Sequence, residues 1–229
     1  MPKAQRGPEE IQLVREDIMK HALDLIVTEG YNGFSMRKLA TRLGIAAKTI
    51  YNYFHNQDEL YLCILTKGFE QLLERIITAV TPHKDLMDRL GAVIAAYVDF
   101  GLENANIYNL MFTWHVPKFK DYVGTPMEDV ANSELAMALK CADFFMDLIR
   151  ACIGDSPTPN ENGIRLEMIQ IWSHMHGYVA GINNTLLDYM HEDPLSLKNQ
   201  IVTRIIKNAK VDLAARRRCG LKSVDKNIL

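Results

Sequence analysis

Apolar residues recur every three or four positions along most of this chain, and no stretch keeps the strict alternation of a half-buried strand, so the pattern predicts an all-α protein. From about Glu10 to Glu29 the stripe is Ile11, Val14, Ile18, Leu25 and Ile26, with Gly30 as the stop. Ser35 is suited to cap a helix whose core positions are Met36, Leu39, Ala40 and Leu43. Gly44 supplies the backbone of a tight turn, Ile45 is expected to pack into its corner, and a second short helix runs from Ala46 to Tyr53. Asn56 with Glu59 reads as a capping box opening a long helix, whose buried side is Leu65, Phe69, Leu72, Ile76 and Val80.

Thr81-Pro82 is expected to end that helix and begin another through Leu86, Leu90, Val93, Ile94 and Tyr97, and a short helix follows from Asn106 to His115, stopped before Pro117. Thr125-Pro126-Met127-Glu128 predicts a helix with proline in its first position, reaching Gly154. The run GDSPTPNENG, residues 154–163, reads as the clearest loop. A helix from about Glu161 to His191 comes next. Asp193-Pro194 then caps and opens a final helix with Leu197, Ile201, Ile205, Ala209 and Leu213 on one side.

Two short helices pivoting on Gly44 spell a helix-turn-helix, and charge sharpens that reading. The whole chain carries a formal net charge of −2, yet Ser35 to Tyr53 holds Arg37, Lys38, Arg42 and Lys48 and no acidic residue. Phosphate neutralisation belongs to the contacting face, so this local balance outweighs the total. Ala46 and Ala47 are small enough to let the second helix enter a groove roughly 12 Å wide, where Lys48, Thr49, Tyr51, Asn52 and Tyr53 offer donors to phosphates and base edges.

Gly30, Ser35, Met36, Arg37, Leu39, Ala40, Leu43, Gly44, Ile45, Thr49, Ile50, Tyr51, Phe54 and Leu60 together resemble the N-terminal pattern of the TetR family of bacterial transcriptional regulators. The resemblance implies that Ser35 and Tyr53 hold phosphates, that Thr49 and Tyr51 touch backbone or thymine methyls, and that Phe54 locks the reading helix onto the next one. Three positions depart from the pattern: Ala46 stands where a cap serine is usual, Lys48 where a small residue precedes the threonine, and Gln57 where a lysine follows the aromatic. Gln57 removes one phosphate charge from the clamp, which Lys48 can supply from another angle. The candidate DNA contacts are therefore Ser35, Arg37, Ala46, Ala47, Lys48, Thr49, Tyr51, Asn52, Tyr53 and Gln57.

Between Met168 and Leu187 there is no Asp, Glu, Lys or Arg, which implies that both faces of this helix are covered. Gln170, Ser173, His174, His176, Asn183, Asn184 and Thr185 are too many polar groups for a lone membrane span. The helices at about 161–191 and 194–215 instead make half of a four-helix bundle, completed by a second copy in a homodimer. The family resemblance implies dimerisation through the last two helices, and Trp172 with His176-Gly177 resembles the WHG-type C-terminal subclass.

The aromatic and methionine-rich set Tyr97, Tyr108, Met111, Phe112, Trp114, Phe145, Trp172, Met175 and His176 is the candidate lining for a small hydrophobic or aromatic effector. The same residues at helical spacing also suit an ordinary core, and His176 suits a core histidine packed on Trp172. His174 and His176, two apart on a helix, face different ways and cannot readily share a metal. Cys63, Cys141, Cys152 and Cys219 are scattered without a C-x-x-C, which suits a reducing cytoplasm, and residues 1–10 lack the apolar core of a signal peptide and read as a flexible arm. No catalytic constellation, metal cluster or cofactor loop is legible, so no enzyme activity and no cofactor are expected.

The expected organisation is a helix-turn-helix DNA-binding domain at 1–55, a helical effector-binding and dimerisation domain at 56–218, and a C-terminal tail at 219–229. The expected function is ligand-released repression by a homodimer on a palindromic double-stranded DNA operator. The rival readings are an enzyme-like small-molecule binder with a degenerate head, or a helical adaptor that uses Arg216-Arg217-Arg218.

Overall fold

In the computed structural model, residues 7–154 and 161–219 are described; most of the expected loop, the first six residues and the tail beyond Cys219 lie outside them. The described residues form ten α-helices with no strand among them: α1 (Pro8–Glu29), α2 (Met36–Leu43), α3 (Ala47–Tyr51), α4 (Gln57–Val80), α5 (Leu86–Glu103), α6 (Ala105–Phe112), α7 (Phe119–Tyr122), α8 (Glu128–Ile153), α9 (Glu161–Asn183) and α10 (Lys198–Cys219). They pack as two units. Of the described residues, one gathers 7–68 and 106–137, the other 69–105, 138–154 and 161–219.

In the first unit α1 begins earlier than its stripe suggested. Pro8 sits where a missing N–H costs nothing, and Glu9 and Glu10 face the positive end of the helix, so the last residues of the expected arm are helical. Its first turns are bare: Ile11 and Leu13 are exposed, and burial starts at Ile18 and continues through Ala22, Leu25 and Ile26. Ser35 caps α2 as expected, its Oγ accepting the Lys38 N–H at 3.3 Å. At its other end Gly44 takes the left-handed conformation (φ 66°), and the Gly44 and Ile45 N–H groups donate to the Thr41 and Ala40 carbonyls. The turn therefore closes on backbone bonds, and Ile45 stays exposed instead of filling the corner.

Three start signals need correction. Asn56 Oδ1 accepts the Glu59 N–H at 2.8 Å, but the Glu59 carboxylate reaches back to the His55 N–H, so the box is closed one residue early. α5 starts at Leu86, not after Pro82, because Asp85 caps it by accepting the Met87 and Asp88 N–H groups. α8 starts at Glu128, beyond Pro126: Thr125 Oγ1 is bonded to the Tyr122 carbonyl and accepts the Met127 N–H, which holds residues 125–127 in a turn. The turn α7 had no clear signal, and α6 ends at Phe112, three residues short of His115.

In the second unit α5, α9 and α10 pack on one another around Leu90, Ile94, Val98, Ile171, Met175, Val179, Ile205 and Leu213. Polar staples fix their register: Asn183 Nδ2 donates to the Gly101 carbonyl at 2.9 Å, and Lys198 and Lys210 pair with Asp99 and Asp88. α9 stops at Asn183, eight residues before His191. Thr185 adopts the left-handed conformation (φ 56°), so that the Leu186 N–H reaches the Gly181 carbonyl and the Thr185 N–H the Ile182 carbonyl. A glycine usually marks that ending; here a threonine does, and the periodicity carried the expectation past it. Asp193 caps a 3-10 turn, Pro194–Leu197, that leads into α10.

Candidate nucleic-acid interface

α3 buries a single residue and leaves the others exposed or half-buried. Ile50 is fully buried, while Lys48, Tyr51 and Asn52 are exposed and Ala47 and Thr49 half-buried. α3 ends at Tyr51, so Asn52 and Tyr53 follow it in a turn, and Ala46 supplies no side-chain cap. The Thr49 N–H instead donates to the Ala46 carbonyl at 2.8 Å.

The four basic residues divide into two pairs. Lys38 is ion-paired with Glu29 and donates to the Gly33 carbonyl at 2.8 Å, and Arg42 lies 3.6 Å from Asp24. Arg37 and Lys48 are exposed and have no acidic partner among the described residues, which leaves them as the cations of this face. Ser35 spends its hydroxyl on the cap, and Gln57 is half-buried at the first turn of α4.

What holds α3 in place includes residues the periodicity did not single out. Arg15 of α1 stacks on the fully buried Phe54 ring, 4.2 Å from its centroid, and its guanidinium donates to the Tyr53 carbonyl and approaches Cys63 Sγ at 3.7 Å. One arginine thereby ties α1, the end of α3 and the start of α4 together. Nearby, the Tyr31 hydroxyl donates to Asp58 Oδ1 at 2.7 Å, the Tyr122 hydroxyl reaches the same oxygen at 3.3 Å, and the Tyr61 hydroxyl donates to the Pro117 carbonyl at 2.9 Å. Burial, with the Asp58 carboxylate beside it, holds the Tyr31 phenol far above its ordinary range, and burial pushes Tyr122 up to about 12. These phenols stay protonated donors at any physiological pH. Local sequence does not reveal these pairings: Asp58 lies 27 residues from Tyr31 and 64 from Tyr122.

The candidate effector residues fall into both units. Tyr108, Met111, Phe112 and Trp114 belong to the first, and Tyr97, Phe145, Trp172, Met175 and His176 to the second. Tyr97, Tyr108, Met111, Phe145 and Met175 are buried, the others half-buried. In the second unit alone, an open groove of about 730 Å³ runs between α4 and α5, lined by residues such as Glu74, Arg75, His83, Ala92, Asp99 and Asn104, and no candidate effector residue is among its lining.

Trp172 and His176 stack face to face, 4.7 Å apart at 9°, as their four-residue spacing allows. Burial lowers the His176 pKa. Below the ordinary imidazole value near 6.5 the unfolded chain then binds more protons than the folded one, so stability falls as the pH drops through that region. Thermal melts at pH 7.5 and 5.5 should show a smaller acid-induced loss for His176→Asn than for the wild type; equal losses would remove His176 from the acid response.

An exposed helix bearing Lys48, with Arg37 on the helix before it, held by a glycine-closed turn and an aromatic-arginine clamp, is the head of a helix-turn-helix protein. Comparison with known proteins agrees. The family described as "Bacterial regulatory proteins, tetR family" matches residues 18–64, and the one described as "Tetracyclin repressor-like, C-terminal domain" matches residues 90–202. The chain belongs to the TetR family. Over 135 residues it is 29% identical to the HTH-type transcriptional activator FasR of Mycolicibacterium smegmatis, covering 59% of this chain and 58% of that protein; the match thus spans little more than half of that relative's length. Among solved structures, a protein of unknown function from Rhodococcus sp. RHA1 superposes with a TM-score of 0.68 at 19% identity, covering 93% of this chain and 99% of the other. The transcriptional regulator FadR from Bacillus subtilis, in complex with stearoyl-CoA, does so with a TM-score of 0.60 at 18% identity, covering 83% and 97%. At such identities these two share the fold.

Proposed function

We propose that this chain is a sequence-specific DNA-binding regulator, a homodimeric repressor of a palindromic operator, released by a hydrophobic effector. The carrying observation is the exposure of Lys48 and Tyr51 on α3 above a buried Ile50, with Arg37 beside them on the preceding helix. Residues 1–55 do the reading, and 56–218 receive the effector and the second copy. In a dimer the two α3 helices must lie about 34–36 Å apart to enter successive major grooves. The effector acts through its difference in affinity for the DNA-competent and incompetent states. A long-chain acyl thioester is the class we favour, supported by the stearoyl-CoA of the FadR structure and by the apolar, methionine-bearing candidate lining. No described helix is long and apolar enough to cross a membrane.

The test begins with purified protein and sheared genomic DNA from its source, followed by sequencing of retained fragments and titration at two salt concentrations. A palindrome bound with salt-sensitive affinity supports the reading. Stearoyl-CoA, free stearate and coenzyme A are then added separately. Loss of operator binding with stearoyl-CoA alone assigns the thioester class, loss with stearate as well reduces the requirement to the chain, and unchanged affinity with all three removes the proposed effector.

A further inference from the structure

We propose that His55 is a proton-gated contact to the DNA backbone: its imidazolium form holds a phosphate at the far end of the reading face, its neutral form does not, and operator affinity therefore rises as the pH falls. The inference rests on α3 being the reader and adds to it a residue that lies outside the helix.

The face that α3 presents continues beyond its last residue. The Asn52 N–H donates to the Thr49 carbonyl, and the Tyr53 and Phe54 N–H groups both donate to the Ile50 carbonyl, so the chain keeps its helical winding past Tyr51. Burial follows the same period: Ile50 and Phe54 are fully buried, whereas Lys48, Tyr51, Asn52 and His55 are exposed. Residues spaced by three or four share one side of such a winding. His55 thus stands on the side of Lys48 and Tyr51, further along the same face, with 90% of its side chain exposed. The sequence has no Lys or Arg between Lys48 and Lys67, so His55 is the one residue of that stretch able to carry positive charge.

Glu59 decides which form of the ring can bind. Its Oε2 accepts the His55 backbone N–H and lies 2.7 Å from Nδ1, and among the described residues it is the one carboxylate within 4 Å of the ring. A carboxylate only accepts hydrogen bonds, so the neutral ring keeps its proton on Nδ1 and leaves Nε2 as an acceptor. A phosphate oxygen is an acceptor as well, and the two repel. Once Nε2 is protonated, the imidazolium donates from Nδ1 to Glu59 and from Nε2 to the phosphate in a charge-assisted bond. The other charged groups around the turn are engaged elsewhere. Asp58 takes the Tyr31 and Tyr122 hydroxyls, Arg15 lies on the Phe54 ring with its guanidinium on the Tyr53 carbonyl, and Lys48 is the cation that shares the face.

The test measures operator affinity by fluorescence anisotropy at pH 6.0 and 8.0, each at two salt concentrations, for the wild type, His55→Ala and His55→Lys. The side chain is exposed, so all three are expected to keep their helical circular dichroism at both pH values. The wild type should bind about tenfold or more tightly at pH 6.0 than at pH 8.0, with a salt slope steeper by about 1 per head. His55→Ala should lose most of that gain, and His55→Lys should bind at pH 8.0 as tightly as the wild type does at pH 6.0. All other histidines are common to the three proteins, so the difference between their pH responses belongs to position 55. A pH response that the wild type and His55→Ala share within about twofold overturns the proposal while α3 remains the reader. A wild type that binds no operator at either pH overturns both.

Discussion

Lys48→Ala combined with Tyr51→Ala should lower affinity for the selected operator by about 100-fold or more, with the fold intact. The fold expectation comes from position: Lys48 is exposed and Tyr51 is 50% exposed, so neither side chain fills the core that Ile50, Leu39 and Phe54 occupy. The affinity expectation comes from chemistry. A tyrosine contact to a base edge or methyl is worth roughly 1–3 kcal/mol of discrimination, and a lysine on a phosphate adds a term that salt screens. The variant should therefore lose preference for the operator over random DNA and show a salt slope smaller by about 1. Fluorescence anisotropy at two salt concentrations measures both. A folded variant that keeps operator affinity would mean that α3 does not read the DNA.

Phe54→Ala should destabilise the protein by about 3–5 kcal/mol, the range for removing a large aromatic from a packed core. Phe54 is fully buried, and its ring is the surface on which the Arg15 guanidinium rests. Truncation opens a cavity beneath that cation and loosens the hold on the Tyr53 carbonyl, so DNA affinity should fall together with stability. Phe54→Leu fills most of the space without the π face and should cost clearly less. Urea titrations followed by circular dichroism separate the two; a loss under about 1 kcal/mol for the alanine variant would show that the clamp contributes little to the fold.

Where the chain announces its own ends, sequence reading and structure agree. Ser35 caps α2, Gly44 closes it, and Leu65, Phe69, Leu72, Ile76 and Val80 are all buried along α4. These features are local, and a single element is enough to specify them. Errors arise where two local signals compete. Pro82 and Pro126 look like helix starts, but Asp85 and the Thr125 turn decide the boundary, because a side-chain oxygen that satisfies orphan N–H groups outweighs a proline's preset φ. Likewise the pattern of α9 runs on through Leu186 and Leu187, while the backbone has already turned at Thr185.

The sequence by itself determined the helical class, the head with its α2-turn-α3 geometry, and the family, since periodicity, caps and a glycine turn all act within a few residues of one another. Only the tertiary structure decided which charges remain available and what clamps the reader. Lys38 and Arg42 look as basic as Arg37 and Lys48 until Glu29 and Asp24 are seen beside them, and Arg15 looks like a surface cation until Phe54 is beneath it. The same holds between α9 and α10, where Leu187 and Tyr189 read alike as apolar positions. Packing against Gly181 turns one inward and leaves the other in solvent. The reason is physical: helix formation depends on neighbours along the chain, whereas charge pairing and exposure depend on neighbours in space that one-dimensional spacing does not specify.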